Sequence, residues 1–204
     1  MRSFTAPAIV ALLLALTPAV THAASTIVLP RAGQVGIGVQ GGYGALVPTG
    51  DLGSVFSDGA SFAVRLRYRM RYERGLGLSF EGDRFSAKAL HTYQPDSAFA
   101  DRLSVTLSEV ELYQLFGTRT TTVKMISLGI GLAQQRVRLS TGETLLSGDF
   151  SGDGLSLSAG LGVEKFFYRS WAFDLSARYH AMFMNQQIGH NVQIALGIIG
   201  YAGY

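Results

Sequence analysis

From Phe62 to Tyr72 apolar and polar residues alternate without a break. Phe62, Val64, Leu66, Tyr68, Met70 and Tyr72 share one side of an extended strand. Ala63, Arg65, Arg67, Arg69 and Arg71 share the other, because successive strand side chains point to opposite faces. A helix would scatter the arginines around its circumference. The same period recurs and predicts eight amphipathic strands of about ten residues, the length that crosses a bilayer when tilted. They are 34–44, 62–72, 75–83, segments within 104–116 and 123–133, then 155–164, 171–183 and 191–204. In the fifth, Ile126, Leu128, Ile130 and Leu132 oppose Ser127, Gly129 and Gly131. In the last, Val192, Ile194, Leu196, Ile198 and Tyr204 share one register.

The fourth segment carries a conflict. Leu103, Val105 and Leu107 share a face with Glu109 and Glu111, while Val110, Leu112 and Phe116 share the opposite one. A charge facing the bilayer midplane costs ~2–4 kcal/mol for Arg or Lys and somewhat less for Glu. Both glutamates are therefore expected inward, with a bulge near Ser108 or the upper leucines above the membrane.

Connections alternate in length. Short links are expected at Glu73–Arg74, 117–122 and around Tyr168–Ser170, and long polar loops at 45–61, 84–103 and 134–154. The final loop, 185–190, is intermediate. Short turns at one end and long loops at the other suit a transmembrane barrel, and an even strand number returns both termini to one side. No helical segment and no second domain are expected.

Composition narrows the class. Met1-Arg2, the apolar run Ala6–Val20 and Thr21-His22-Ala23 read as a secretory signal peptide cut after Ala23. The expected division is 1–23 signal, 24–33 lead-in and 34–204 barrel. The chain has no cysteine, 25 glycines and only 15% charged residues, so sheet bonding, packing or a membrane must hold it. A net charge of +3 with arginines on one strand face leaves no nucleic-acid footprint.

The ionisable residues on the non-lipid faces nearly balance. Arg65, Arg67, Arg69, Arg71 and Arg178, with His180, stand against Glu81, Asp83, Glu109, Glu111, Glu164 and Asp174. Arginines two residues apart along a strand repel by ~2–2.5 kcal/mol per pair at an effective dielectric near 20. A stack of them needs carboxylates close by, and an eight-stranded barrel has room inside only for side chains. The expectation is an ionic, hydrogen-bonded interior. A soluble antiparallel sandwich would show the same alternation. The signal segment, the loop asymmetry, and aromatics near strand ends (Tyr68 and Tyr72, Phe166 to Tyr168 with Trp171, Tyr201 with Tyr204) favour the membrane.

Gly160 to His180 and the C-terminal strand ending in Tyr204 resemble the small eight-stranded outer-membrane β-barrel superfamily, of the opacity-protein and OmpA/OmpX-like kind. The resemblance covers Gly33 to Tyr204, with Val47 to Gly53 similar to a first outer loop. It implies an all-β, antiparallel up-and-down transmembrane barrel in the cell outer membrane. It also implies that the last strand, with Tyr204, is the signal read by the barrel-assembly machinery.

Sites of chemistry are sparse. Gly36 to Gly41 fits a dinucleotide glycine pattern but lies inside an alternating strand, without the flanking strand and helix that pattern needs. His91, His180 and His190 lack metal-ligand spacing, and Asp149 to Gly154 reads as an acidic surface turn rather than a full calcium loop. Lipid A deacylase barrels, similar in size, carry a serine two residues after a late-strand histidine; Met182 stands there, and cannot be a nucleophile. The expectation is a non-enzymatic barrel with no cofactor or metal, serving the envelope or presenting loops. Its partners would be outer-membrane lipid, lipopolysaccharide and surface ligands at the loops. The alternatives are a lipid A-modifying enzyme and a narrow channel.

Overall fold

Alternating segments too polar on one face to stack into a common core close on themselves, leaving no unpaired edge. The computed structural model describes residues 27–48, 51–88, 92–93, 98–145, 150–184 and 188–202. The main strands are β1 (Val35–Leu46), β2 (Phe56–Arg69), β3 (Arg74–Ala87), β4 (Ala98–Phe116), β5 (Thr122–Leu139), β6 (Gly152–Tyr168), β7 (Trp171–Phe183) and β8 (Ile188–Ala202). Each pairs antiparallel with its sequence neighbours, and β1 pairs with β8, from Val35 opposite Ala202 to Leu46 opposite Asn191. The result is a closed eight-stranded barrel. Two-residue strands Thr92–Tyr93 and Thr144–Leu145 add rungs to the loops after β3 and β5.

The strands run further than expected, to 19 residues in β4 and 18 in β5. The long loops are correspondingly shorter. A five-residue helix, α1 (Asp51–Val55), stands where no helix was expected and lays buried Leu52 and Val55 across the loop end. The anticipated bulge near Ser108 does not exist, since β4 pairs in continuous register with β3 from Gln114 to Arg102. Leu103, Val105 and Leu107 continue inward on the face of Glu109 and Glu111.

These leucines belong to an apolar plug at the loop end, built with Leu46, Phe56, Phe85, Val137, Phe150 and Met182. Phe56 and Phe150 meet edge to face at 6.0 Å. A second plug closes the turn end with Tyr113, Leu115, Val123, Met125, Phe166, Ile199 and Tyr201. Phe166 and Tyr201 therefore leave the expected outer belt, because their strand parity points them inward. Ile27 and Leu29 of the lead-in pack beneath this plug, and the Val28 amide donates to the Arg169 carbonyl at 3.1 Å. Gly36 faces Tyr201 and Gly75 faces Tyr113 across the ladders. A Cβ at either glycine would run into the tyrosine ring, so glycine is what lets the ring lie flat on the wall.

The outer wall carries the apolar belt. Ile126, Leu128, Ile130 and Leu132 are exposed on β5, as are Leu76, Leu78 and Phe80 on β3. Lys124 and Gln134 bracket the β5 run. Their separation is ~33 Å along the strand, or ~25 Å along the normal at a tilt near 40°. That matches the height of a membrane-barrel belt. Among the described residues no helix is long and apolar enough to cross a membrane; the crossing is made by strands.

Candidate functional site

The two plugs enclose a charged layer, and that interior is the most distinctive chemistry of the molecule. Strand parity delivers its members. Arg65, Arg67 and Arg69 come from β2, Glu81 and Asp83 from β3, Glu109 and Glu111 from β4. Glu164 comes from β6, and Asp174, Arg178 and His180 from β7. All are buried to within a few percent of complete. Arg71 is the exception: β2 ends at Arg69, and Arg71 is exposed in the β2–β3 turn, where its amide donates to the Arg74 carbonyl. The alternation continues there in sequence, but the chain has begun to reverse.

Toward the turn end Glu164 gathers three donors. Its carboxylate is 2.6 Å from Arg67 and 2.9 Å from Arg69, and accepts from the Tyr201 hydroxyl at 2.5 Å. Arg69 also lies over the Tyr201 ring, 4.7 Å from its centroid. Arg67 reaches on to Asp174 at 2.8 Å. In the middle, Arg178 donates to both oxygens of Glu111 at 2.6 and 2.5 Å, a two-pronged match of guanidinium to carboxylate. Glu81 is shared by Arg178 at 3.2 Å, Arg65 at 3.3 Å and His180 at 3.4 Å.

Toward the loop end, His180 reaches Glu109 at 3.4 Å, and Glu109 accepts from Ser156 and, at 2.6 Å, from Ser158. These two serine hydroxyls donate to the carboxylate and not to the imidazole. Met182 lies buried in the plug above, with the Gln135 amide nitrogen 3.7 Å from its sulfur. Asp83 is held by Asn191 at 2.7 Å and Gln193 at 3.3 Å.

Alternation in the sequence places Ser156, Ser158 and Ser176 with the charges, whereas Gln40, Ser61, Asn191 and Gln193 were not anticipated and Tyr201 was expected in the outer belt. Gln40, Ser61, Ser156, Ser158, Ser176, Asn191, Gln193 and Tyr201 all point inward. Parity was the available signal: Asn191 and Gln193 alternate with Val192 and Ile194, and Tyr201 falls on the same face. Ser176 shows their use, accepting from Arg65 at 3.1 Å and donating to Gln40 at 3.3 Å, which links β7 to β2 and β1 past the intervening β8.

Among the described residues no cluster of histidine, cysteine and carboxylate suits a metal ion. His190 sits on the outer wall with Tyr179, ring centroids 5.8 Å apart. Asp153 is paired with Arg136 at 2.8 Å. Asp149, His91, Tyr204 and the expected signal segment 1–23 lie outside the described residues. Gly36 and Gly38 face inward, within the continuous pairing of β1 with β2 and β8, and form no phosphate loop.

Comparison with known proteins agrees with this geometry. No curated protein matches the chain. Among solved structures it is similar to Neisserial surface protein A, with TM-score 0.60 and 17% identity over 84% of this chain and 98% of that one. Outer membrane protein OprG from Pseudomonas aeruginosa gives 0.57 and 11%, covering 88% of this chain and all of OprG. Ail, the attachment invasion locus protein of Yersinia pestis, gives 0.52 and 14%, covering 82% and 99%. At these identities the likeness is one of fold. The model of the outer membrane protein beta-barrel domain matches residues 8–199, and the chain belongs to that family.

Proposed function

We propose that this outer-membrane barrel acts as a sealed, non-conducting element of the envelope that works through its surfaces and loops. The observation that carries this reading is the filled interior. A layer of four arginines, six carboxylates and His180 lies between two apolar plugs, with α1 over one end and the lead-in under the other. An ion crossing it would have to displace Arg178 from Glu111 and separate the packed plug residues. In this reading the leader 1–23 directs export through the Sec pathway, and the last strand with Tyr204 is read by the barrel-assembly machinery. The short turns then lie in the periplasm and the long loops outside.

The outer wall supports lipopolysaccharide as a partner at the loop end. Arg84 lies opposite Ser104 and Ser104 opposite Arg136; one row higher, Arg102 lies directly opposite Arg138. Like charges placed opposite each other on a sheet face are unfavourable without an anion. Arg84, Arg102 and Arg138 have no ion-pair partner among the described residues. They stand just above the apolar belt, at the depth of lipid phosphates. The similar barrel Ail is described in complex with the heparin analogue sucrose octasulfate.

Planar-bilayer recording of the folded chain tests the sealed reading. No large, stable conductance is expected, and its appearance would overturn the proposal.

A further inference from the structure

The basic charge that is not paired inside the barrel is distributed unequally between its two ends. At the loop end, Arg84, Lys88, Arg102, Arg136 and Arg138 share the surface with Asp58, Asp101, Glu143 and Asp153. At the turn end the balance is lost. Arg71, Arg74 and Arg119 line a groove of about 590 Å3 between the β2–β3 and β4–β5 turns, together with Tyr72, Glu73 and Thr118. Lys124 and Lys165 project from the outer wall at the feet of β5 and β6, while Arg31 lies in the lead-in and Arg169 beside it. Glu73 is the one carboxylate among these cations in the described residues. None of the basic residues at this end has an ion-pair partner among the described residues.

Depth identifies the anion. Lys124 shares its wall with Ile126 and Leu128, and Lys165 with Val163 and Leu161, so both stand where the apolar belt ends. Tyr68, Tyr72, Phe167, Tyr168 and Trp171 are exposed at the same level, as amphipathic rings are at a headgroup layer. Cations there meet lipid phosphates without leaving the bilayer surface, within a screening length of one another. A soluble polyanion would reach the groove but not the lysines on the lipid-facing wall.

We infer that the turn end is a binding site for anionic phospholipid. Its phosphodiester sits in the groove of Arg71, Arg74 and Arg119, and its acyl chains lie up the neighbouring apolar wall. The site rests on the reading of the chain as a membrane-spanning barrel with its turns at one leaflet. In function it would anchor the barrel in that leaflet and select its boundary lipid.

The test uses the full folded chain in dodecyl maltoside, challenged with phosphatidylglycerol or phosphatidylcholine of matched chains, with bound lipid counted by native mass spectrometry. Wild type should retain phosphatidylglycerol with a preference of about tenfold. In a chain already carrying Arg102→Gln and Arg138→Gln, which removes the loop-end cluster, Arg71→Gln, Arg74→Gln and Arg119→Gln combined should abolish that preference, whereas Lys88→Gln should keep it. Equal retention of the two lipids by wild type, or an unchanged preference in the triple variant, would overturn the site. Abolition of the preference by an equal concentration of inorganic phosphate would overturn the lipid as its source. Heat-dependent gel mobility reads the barrel separately: a chain that shows it but no lipid preference has lost this site alone.

Discussion

The upper and lower halves of β4 are built on opposite rules, although no register change separates them. In the lower half Val110, Leu112 and Phe116 face out, and Glu109 and Glu111 face in, followed at the strand foot by Tyr113 and Leu115 of the turn-end plug. In the upper half Arg102, Ser104, Thr106 and Ser108 face out, and Leu103, Val105 and Leu107 face in. β5 repeats the exchange, with Ile126 to Leu132 outward below, and Gln134, Arg136 and Arg138 outward above Val137 and Leu139. Below, the barrel is solvated by hydrocarbon and puts its charges inside. Above, it is solvated by water and puts its leucines inside. Which face is core is thus decided by the solvent outside the wall, and it changes within a single strand.

Three experiments sharpen that contrast, each read by urea unfolding in lipid vesicles with the single tryptophan, Trp171, as fluorescent reporter. The largest effect is expected in the ionic layer. Glu164→Ala strands Arg67 and Arg69 and leaves the Tyr201 hydroxyl without its acceptor, and should cost ~3–5 kcal/mol, as removing one partner of a buried pair does. In the upper plug, Leu103→Ala should cost about 2–4 kcal/mol by creating an apolar cavity. Equal and negligible costs at both positions would mean that neither layer is packed as described. The finest comparison is on the outer wall. Leu128→Arg at mid-belt should cost ~2–4 kcal/mol, while Thr106→Arg above the belt should stay within about 0.5 kcal/mol. Equal penalties there would place the water boundary elsewhere on the wall.

Much of the fold was legible because alternation is a local property. Each strand core could be assigned from pairs such as Leu128 and Ser127, or Leu175 and Asp174. Errors fell where a local pattern meets a non-local boundary. The alternation of β2 runs on through Arg71, although the chain leaves the wall after Arg69. Phe166 and Tyr201 resemble belt aromatics in composition, yet parity sends them into the lower plug. Of the two expectations for the upper leucines of β4, the bulge near Ser108 is absent, and the leucines continue inward in unbroken register into the loop-end plug. α1 was missed because five residues are too few to display a helical period.

The sequence alone determined the strand number and, Arg71 apart, the parity of the inward charges. Those follow from the two-residue period and from positions along the chain. Only the tertiary structure decided who meets whom: Arg67 with Glu164, Arg178 with Glu111, Asn191 with Asp83. These partners lie far apart in sequence and become neighbours when β1 closes on β8. Closure also decided that the ionic layer lies between two apolar plugs, since together the plugs draw on strands from the whole ring. Alternation can direct a side chain inward, but ring closure and barrel width determine what it finds there.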